Sequence, residues 1–155
     1  MAVVLADLLD EKHITLELRS RTRDEAMREI VSLMQACGRI QDAEKFLAAV
    51  IERENCSSTV AEHGVAFPHA RTDLVKQIVL GIGRSNEGIR FDKQDESVNL
   101  IFIIGVPRRM IQDYLVCVGA LARLTKDEAI REVLLKAETA AEFVEQLRIA
   151  SLHLE

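Results

Sequence analysis

The chain has 155 residues, of which 48% are hydrophobic and 29% charged, with a formal net charge of −5 at pH 7. That length supports one domain with a sizeable core, and the balance is that of an ordinary globular protein. The acidic total, with a sequence pI near 5.5, argues against a nucleic-acid partner, which calls for a basic stripe, and fits a basic protein partner better.

In chain order, the first apolar stretch lacks a positive n-region and is interrupted by Asp7 and Asp10, so it does not read as a signal peptide. Ala6 to Leu9 read as a short helical turn. His13 to Leu18 alternate, with Ile14, Leu16 and Leu18 on one face, which predicts a strand. Thr22 and Glu25 make a capping box and Gly38 suits a C-cap. Between them Ala26, Ile30, Leu33, Met34 and Cys37 form one helical stripe. Asp42 caps a second helix carrying Phe46, Ala49, Val50 and Arg53, which runs into the loop Cys56-Ser57-Ser58-Thr59. Gly64 to Phe67 read as a short strand closed by Pro68, and Ile78 to Ile82 as another. Ser85-Asn86-Glu87-Gly88 reads as a turn. Ile89 to Phe91 extend the next edge. Val98 to Val106 are apolar almost without break, as in a central strand buried on both faces.

The longest apolar run, Leu100 to Val106, is far short of a membrane span, so no direct membrane insertion is expected. Helices follow from about Met110 to Thr125 and from Asp127 onward. Thr139 and Glu142 make a second capping box leading into Phe143 and Leu147. Helices before and after a block of strands predict an α/β fold, a mixed sheet with helices packed on both faces, as a single domain over residues 1–155. The three cysteines, Cys37, Cys56 and Cys117, are odd in number and form no C-x-x-C. Neither a disulfide framework nor a zinc ribbon is indicated, and a reducing compartment fits.

The run Gly64-Val65-Ala66-Phe67-Pro68-His69 carries the most chemical information. Proline fixes its own φ and pushes Phe67 toward an extended backbone. His69 is therefore expected where a strand stops and a loop begins, its ring directed by rigid structure. Phosphoryl transfer through histidine needs a neutral imidazole with one free nitrogen, the other donating a hydrogen bond that fixes the tautomer. The transferring group spreads charge over its outer oxygens, so positioning and charge stabilisation dominate. Arginine's planar fork holds two such oxygens, and hydroxyls and backbone N–H groups bind the rest. Arg53, Ser58, Thr59 and Gly64 are the candidates near His69. No metal or cofactor is required, and the spacing of Cys56, His63 and His69 matches no short metal motif.

These residues resemble the enzyme IIA domain of the fructose/mannitol class (type 2) of the bacterial phosphotransferase system, which includes nitrogen-regulatory IIA proteins. The resemblance rests on Arg53-Glu54, Ser58-Thr59, Gly64 to His69, Ile89-Arg90-Phe91-Asp92, Val98-Asn99-Leu100-Ile101-Phe102 and Val106-Pro107. It covers essentially the whole chain. It implies a cytoplasmic component of sugar transport or nitrogen regulation in which His69 accepts phosphate from an HPr-like phosphocarrier protein. The phosphate then passes to a IIB domain, or the protein signals to a regulatory target by its phosphorylation state. In that frame Arg53 is the active-site arginine, and an oligomer is left open.

Two departures stand out. The family usually carries a second histidine early in the helix after the central strand, where this chain has Gln112-Asp113-Tyr114-Leu115. The loop before Gly64 reads Val60-Ala61-Glu62-His63, where the family is commonly richer in glycine. Tyr114 can donate a hydrogen bond to a phosphoryl oxygen but supplies no imidazolium charge. It serves either as a ligand or as a packing residue, and Ser58 and Thr59 either as ligands or as turn residues. The alternative to a carrier is a regulatory binding module that keeps the fold and has lost phosphotransfer.

Overall fold

The structure, a computed structural model, describes residues 5–91 and 97–153; Asp92 of the family pattern lies outside the described residues. Two short turns, Leu5–Leu8 and Glu11–His13, precede β1 (Ile14–Thr15). Helix α1 spans Arg23–Ala36 and α2 spans Ala43–Cys56. Strands β2 (Val60–Ala61), β3 (Val65–Ala66), β4 (His69–Arg71), β5 (Val79–Arg90) and β6 (Ser97–Val106) follow. Helices α3 (Ile111–Lys126), α4 (Glu128–Lys136) and α5 (Ala140–Ser151) complete the order.

Local chemistry sets the helix starts. The side chains of Thr22, Asp42, Asp127 and Thr139 each accept a backbone N–H three residues on, satisfying one of the four orphan donors of a helix N-terminus. After α1, Gly38 takes a φ of 73°, the left-handed conformation that closes a helix.

The strands form one mixed sheet in the order β1-β5-β6-β3-β2. β6 is central. It pairs antiparallel with β5 and parallel with both β3 and β4, so β3 and β4 lie end to end along the same edge of β6. Both faces are covered. Leu100, Phe102 and Ile104 of β6 pack with Leu121, Leu124, Phe143 and Leu147 of α3 and α5. Ile101 and Ile103 pack with Ile30, Met34, Phe46 and Val50 of α1 and α2. Gly81 and Gly83 of β5 leave room for α1: a Cβ on Gly81 would lie 2.6 Å from the Met34 sulfur, and one on Gly83 2.6 Å from Ile30 Cδ1. A buried arginine joins the layers, since Arg84 donates to the carbonyls of Leu16, Leu134 and Ala137 at 2.8–3.1 Å. Among the described residues no helix is long and apolar enough to cross a membrane.

Three local expectations are corrected. The strand expected over His13 to Leu18 is reduced to Ile14–Thr15, because Asp10 caps a tight turn that takes in His13. Ser85 to Gly88 do not turn the chain. They remain in β5 as a bulge, with the register passing from Arg84 opposite Leu100 to Ile89 opposite Val98. Side chains hold that bulge: Asn99 Nδ2 donates to the Ser85 carbonyl at 2.9 Å, and Gly88 N–H donates to Ser85 Oγ at 3.1 Å. Finally, the chain does not enter a loop at His69. Pro68 lacks an N–H but its carbonyl accepts from Ile104 N–H at 3.0 Å, so the extended run resumes as β4.

Candidate functional site

His69 opens β4 opposite Ile104, at the end of the sheet where α3 begins. The backbone of Phe67 directs its ring: His69 Nδ1 lies 3.3 Å from the Phe67 carbonyl oxygen. A carbonyl only accepts, so Nδ1 carries the proton and Nε2 keeps its lone pair. The ring is half-buried. Burial lowers its proton affinity below the ordinary 6.5, the hydrogen bond to Phe67 opposes that, the charge of Arg53 lowers it further, and Glu54 raises it. The net shift is downward, so the imidazole is neutral at physiological pH.

Tyr114, in the first turn of α3, meets this ring. The two ring centroids are 4.8 Å apart and tilted by 33°. The phenol oxygen stands 3.3 Å from Nδ1 and 3.4 Å from Nε2, at the long end of hydrogen bonding. Burial raises the Tyr114 pKa, with the charge of Arg53 acting against it, and the group stays a neutral phenol. Arg53 comes from the last turn of α2, where Nη1 donates to the Ser57 carbonyl at 2.8 Å. That contact engages one edge of the guanidinium and leaves other N–H groups for an anion. The structure thus brings Arg53, His69 and Tyr114 together from three elements.

The hydroxyl residues divide. Ser58 is exposed, and its Oγ accepts from Val60 N–H at 3.1 Å, so the hydroxyl proton stays available. Thr59 instead gives its hydroxyl proton to Glu54 Oε1 at 2.6 Å and its N–H to Glu54 Oε2 at 2.7 Å. In this arrangement Thr59 has no side-chain donor left for a phosphoryl oxygen. Glu54, only 4% exposed, lies in this site, and sequence reasoning assigned it no role there. Its one signal in the sequence is its place in the Arg53-Glu54 pair of the family pattern; the contact with Thr59, five residues on, is set by the fold.

Gly64 is not brought to His69. Its carbonyl accepts from Asn99 and Leu100, whereas His69 lies opposite Ile104. The separation along the strand is about 16 Å for five residues at roughly 3.3 Å each. Gly64 has a local purpose. With His63 at φ 70° and Gly64 at φ 76° the β2–β3 turn closes, and a Cβ on Gly64 would lie 2.9 Å from Asn99 Oδ1.

A half-buried neutral imidazole with a fixed tautomer, beside an arginine with free donors and a phenol, can accept and hold a phosphoryl group. Comparison with known proteins agrees with this class. The family described as phosphoenolpyruvate-dependent sugar phosphotransferase system, EIIA 2, matches residues 7–149. A fructose-specific EIIA component from Haloferax volcanii is 37% identical over 127 residues, covering 81% of this chain and 82% of that protein. A fructose-specific EIIABC component from Bacillus subtilis is 29% identical over 136 residues, 87% of this chain, which spans 21% of that longer protein. The crystal structure of nitrogen regulatory protein IIA-Ntr from Neisseria meningitidis superposes with a TM-score of 0.84 at 27% identity, over 92% of this chain and 97% of that one. The chain belongs to the type 2 EIIA family of the phosphotransferase system and is a IIA component.

Proposed function

We propose that the protein is a phosphohistidine carrier, with Nε2 of His69 as the acceptor atom. The observation that supports this most is the contact between His69 Nδ1 and the Phe67 carbonyl, which leaves Nε2 unprotonated and directed by rigid backbone. The donor is an HPr-like phosphocarrier bearing a phosphohistidine. The Nε2 lone pair attacks phosphorus in line; the new N–P bond forms as the donor's N–P bond breaks, and the donor ring keeps the electron pair. Because Nδ1–H stays on the Phe67 carbonyl, no proton leaves His69. The free N–H groups of Arg53 hold equatorial oxygens as charge develops, and the phenol of Tyr114 turns from the ring to donate to another. Transfer onward to a IIB domain is the same displacement run from His69.

A regulatory use of the same chemistry is favoured by one residue. Tyr114 adds no positive charge opposite the phosphoryl group, so Arg53 supplies most of the charge compensation. A phosphorylated state held mainly by one cation suits a protein that reports its phosphorylation to a target. Incubation with phosphoenolpyruvate, enzyme I and HPr tests the carrier reading. The expected product is one acid-labile phosphate per chain. Absence of label under conditions that label a known IIA protein leaves the binding-module reading.

A further inference from the structure

Glu54 and Thr59 form a unit that the phosphoryl chemistry above does not use. Both oxygens of the buried Glu54 side chain accept from Thr59, one from its N–H and one from its hydroxyl. The carbonyl of Thr59 then accepts from Phe67 N–H at 3.3 Å. The carbonyl of Phe67 in turn faces His69 Nδ1 at 3.3 Å. Four residues are therefore linked without a gap, from the last turn of α2 through the start of β2 to the reactive ring. Side chains so linked have little freedom to shift singly.

We propose that Glu54 is a positioning residue for His69, acting through Thr59 and Phe67 to fix the plane and tautomer of the imidazole. The inference rests on the carrier reading for its purpose, though not for its test. It also gives a purpose to a carboxylic side chain that stands next to the arginine proposed to bind the phosphoryl group. Both Glu54 oxygens are engaged by Thr59, while its charge partly offsets that of Arg53 on the ring. Among the described residues, the charged and titratable groups acting on His69 are Arg53 and Glu54 from α2 and Tyr114 from α3, with Cys117 acting on Tyr114.

The test uses ring ¹⁵N NMR of His69 in the full chain, with single-turnover phosphorylation alongside. In Glu54→Gln the amide oxygen accepts the Thr59 N–H and the amide N–H donates to a re-rotated hydroxyl. The linkage survives and the charge is lost, so the His69 titration midpoint is expected to move down while the Nδ1–H tautomer persists. In Thr59→Val half of the linkage is lost with the charge retained. A population of the Nε2–H tautomer is expected, with phosphorylation slowed by up to about a hundredfold. Thr59→Ser should restore both readings.

A purely structural Glu54 would change stability and leave the ring signals where they are. The proposal is overturned if Thr59→Val keeps the pure Nδ1–H tautomer and the parent's rate. It is equally overturned if Thr59→Ser, which keeps both hydrogen bonds to Glu54, shows the same Nε2–H population and slowed rate as Thr59→Val. Should Glu54→Gln not fold, the two Thr59 variants decide alone. If the parent takes no phosphate, the carrier reading fails while the ring signals still judge this linkage.

Discussion

Replacing Arg53 with lysine separates charge from geometry at the site. The guanidinium has five N–H donors, of which Nη1 provides the one to the Ser57 carbonyl at 2.8 Å. The rest of the fork can engage two phosphoryl oxygens while that anchor stays in place. Lysine keeps the charge but concentrates its donors on one nitrogen at the end of a flexible stem. It can hold the Ser57 carbonyl or follow the phosphoryl group, and not both in good geometry. One charge-assisted hydrogen bond is lost in the transition state, worth about 1.5–3 kcal/mol. Single-turnover transfer from phosphorylated HPr should therefore slow by about 10-fold to 150-fold. The effect on stability should stay near about 1 kcal/mol, since the folded state loses at most one partly exposed bond. Rapid-quench labelling measures the first quantity and urea unfolding the second. An unchanged transfer rate in a normally folded variant would show that Arg53 does not touch the transferring group.

Other consequences follow from the same geometry. Tyr114→Phe removes the phenol and should lower phosphate occupancy modestly, whereas Tyr114→His should raise the rate or the occupancy; equal labelling of all three chains would place Tyr114 outside the reaction. Gly64→Ala puts a Cβ 2.9 Å from Asn99 Oδ1 at a φ of 76° and should cost about 1–2 kcal/mol in urea unfolding, yet leave the labelling rate unchanged because the turn is remote from His69. Burial holds His13 below its ordinary 6.5, with Asp10 opposing and Arg39 assisting, and His69 is also lowered by burial. For a base with a lowered folded pKa the unfolded chain takes the proton first, so stability is present above 6.5 and is lost as pH falls below it. Urea unfolding from about pH 7.5 to about pH 5 should show this loss, and His13→Leu should reduce it.

Much of the fold was legible because its signals are local. Thr22, Asp42, Asp127 and Thr139 each cap a helix through their own side chains, and nothing distant is needed to read them. The unbroken apolar run of β6 likewise announced a strand covered on both faces. What local signals miss depends on partners far along the chain. Ser85 to Gly88 carry turn residues, but Asn99 holds them within β5 as a bulge. Pro68 reads locally as the end of a strand, yet its carbonyl accepts from the Ile104 N–H and the extended run continues.

The site divides in the same way. His69 stood out from residue type and its place after Pro68, whereas Arg53 and Tyr114 were singled out mainly through the family resemblance. The hydroxyl of Thr59 was legible as a donor near the site. That it is already spent on Glu54 was not, because only the burial of that glutamate decides it. Gly64 shared a motif with His69 on paper, yet an extended backbone carries the two apart.

The central claim is that His69 Nε2 is the atom that takes the phosphate. It is tested most directly by phosphorylating the ¹⁵N-labelled chain and recording the coupling between phosphorus and the imidazole nitrogens. The account predicts phosphorus bonded to Nε2 of His69, with Nδ1 still protonated, and no signal in His69→Ala. Phosphorus on Nδ1, or on any residue that survives His69→Ala, would contradict it.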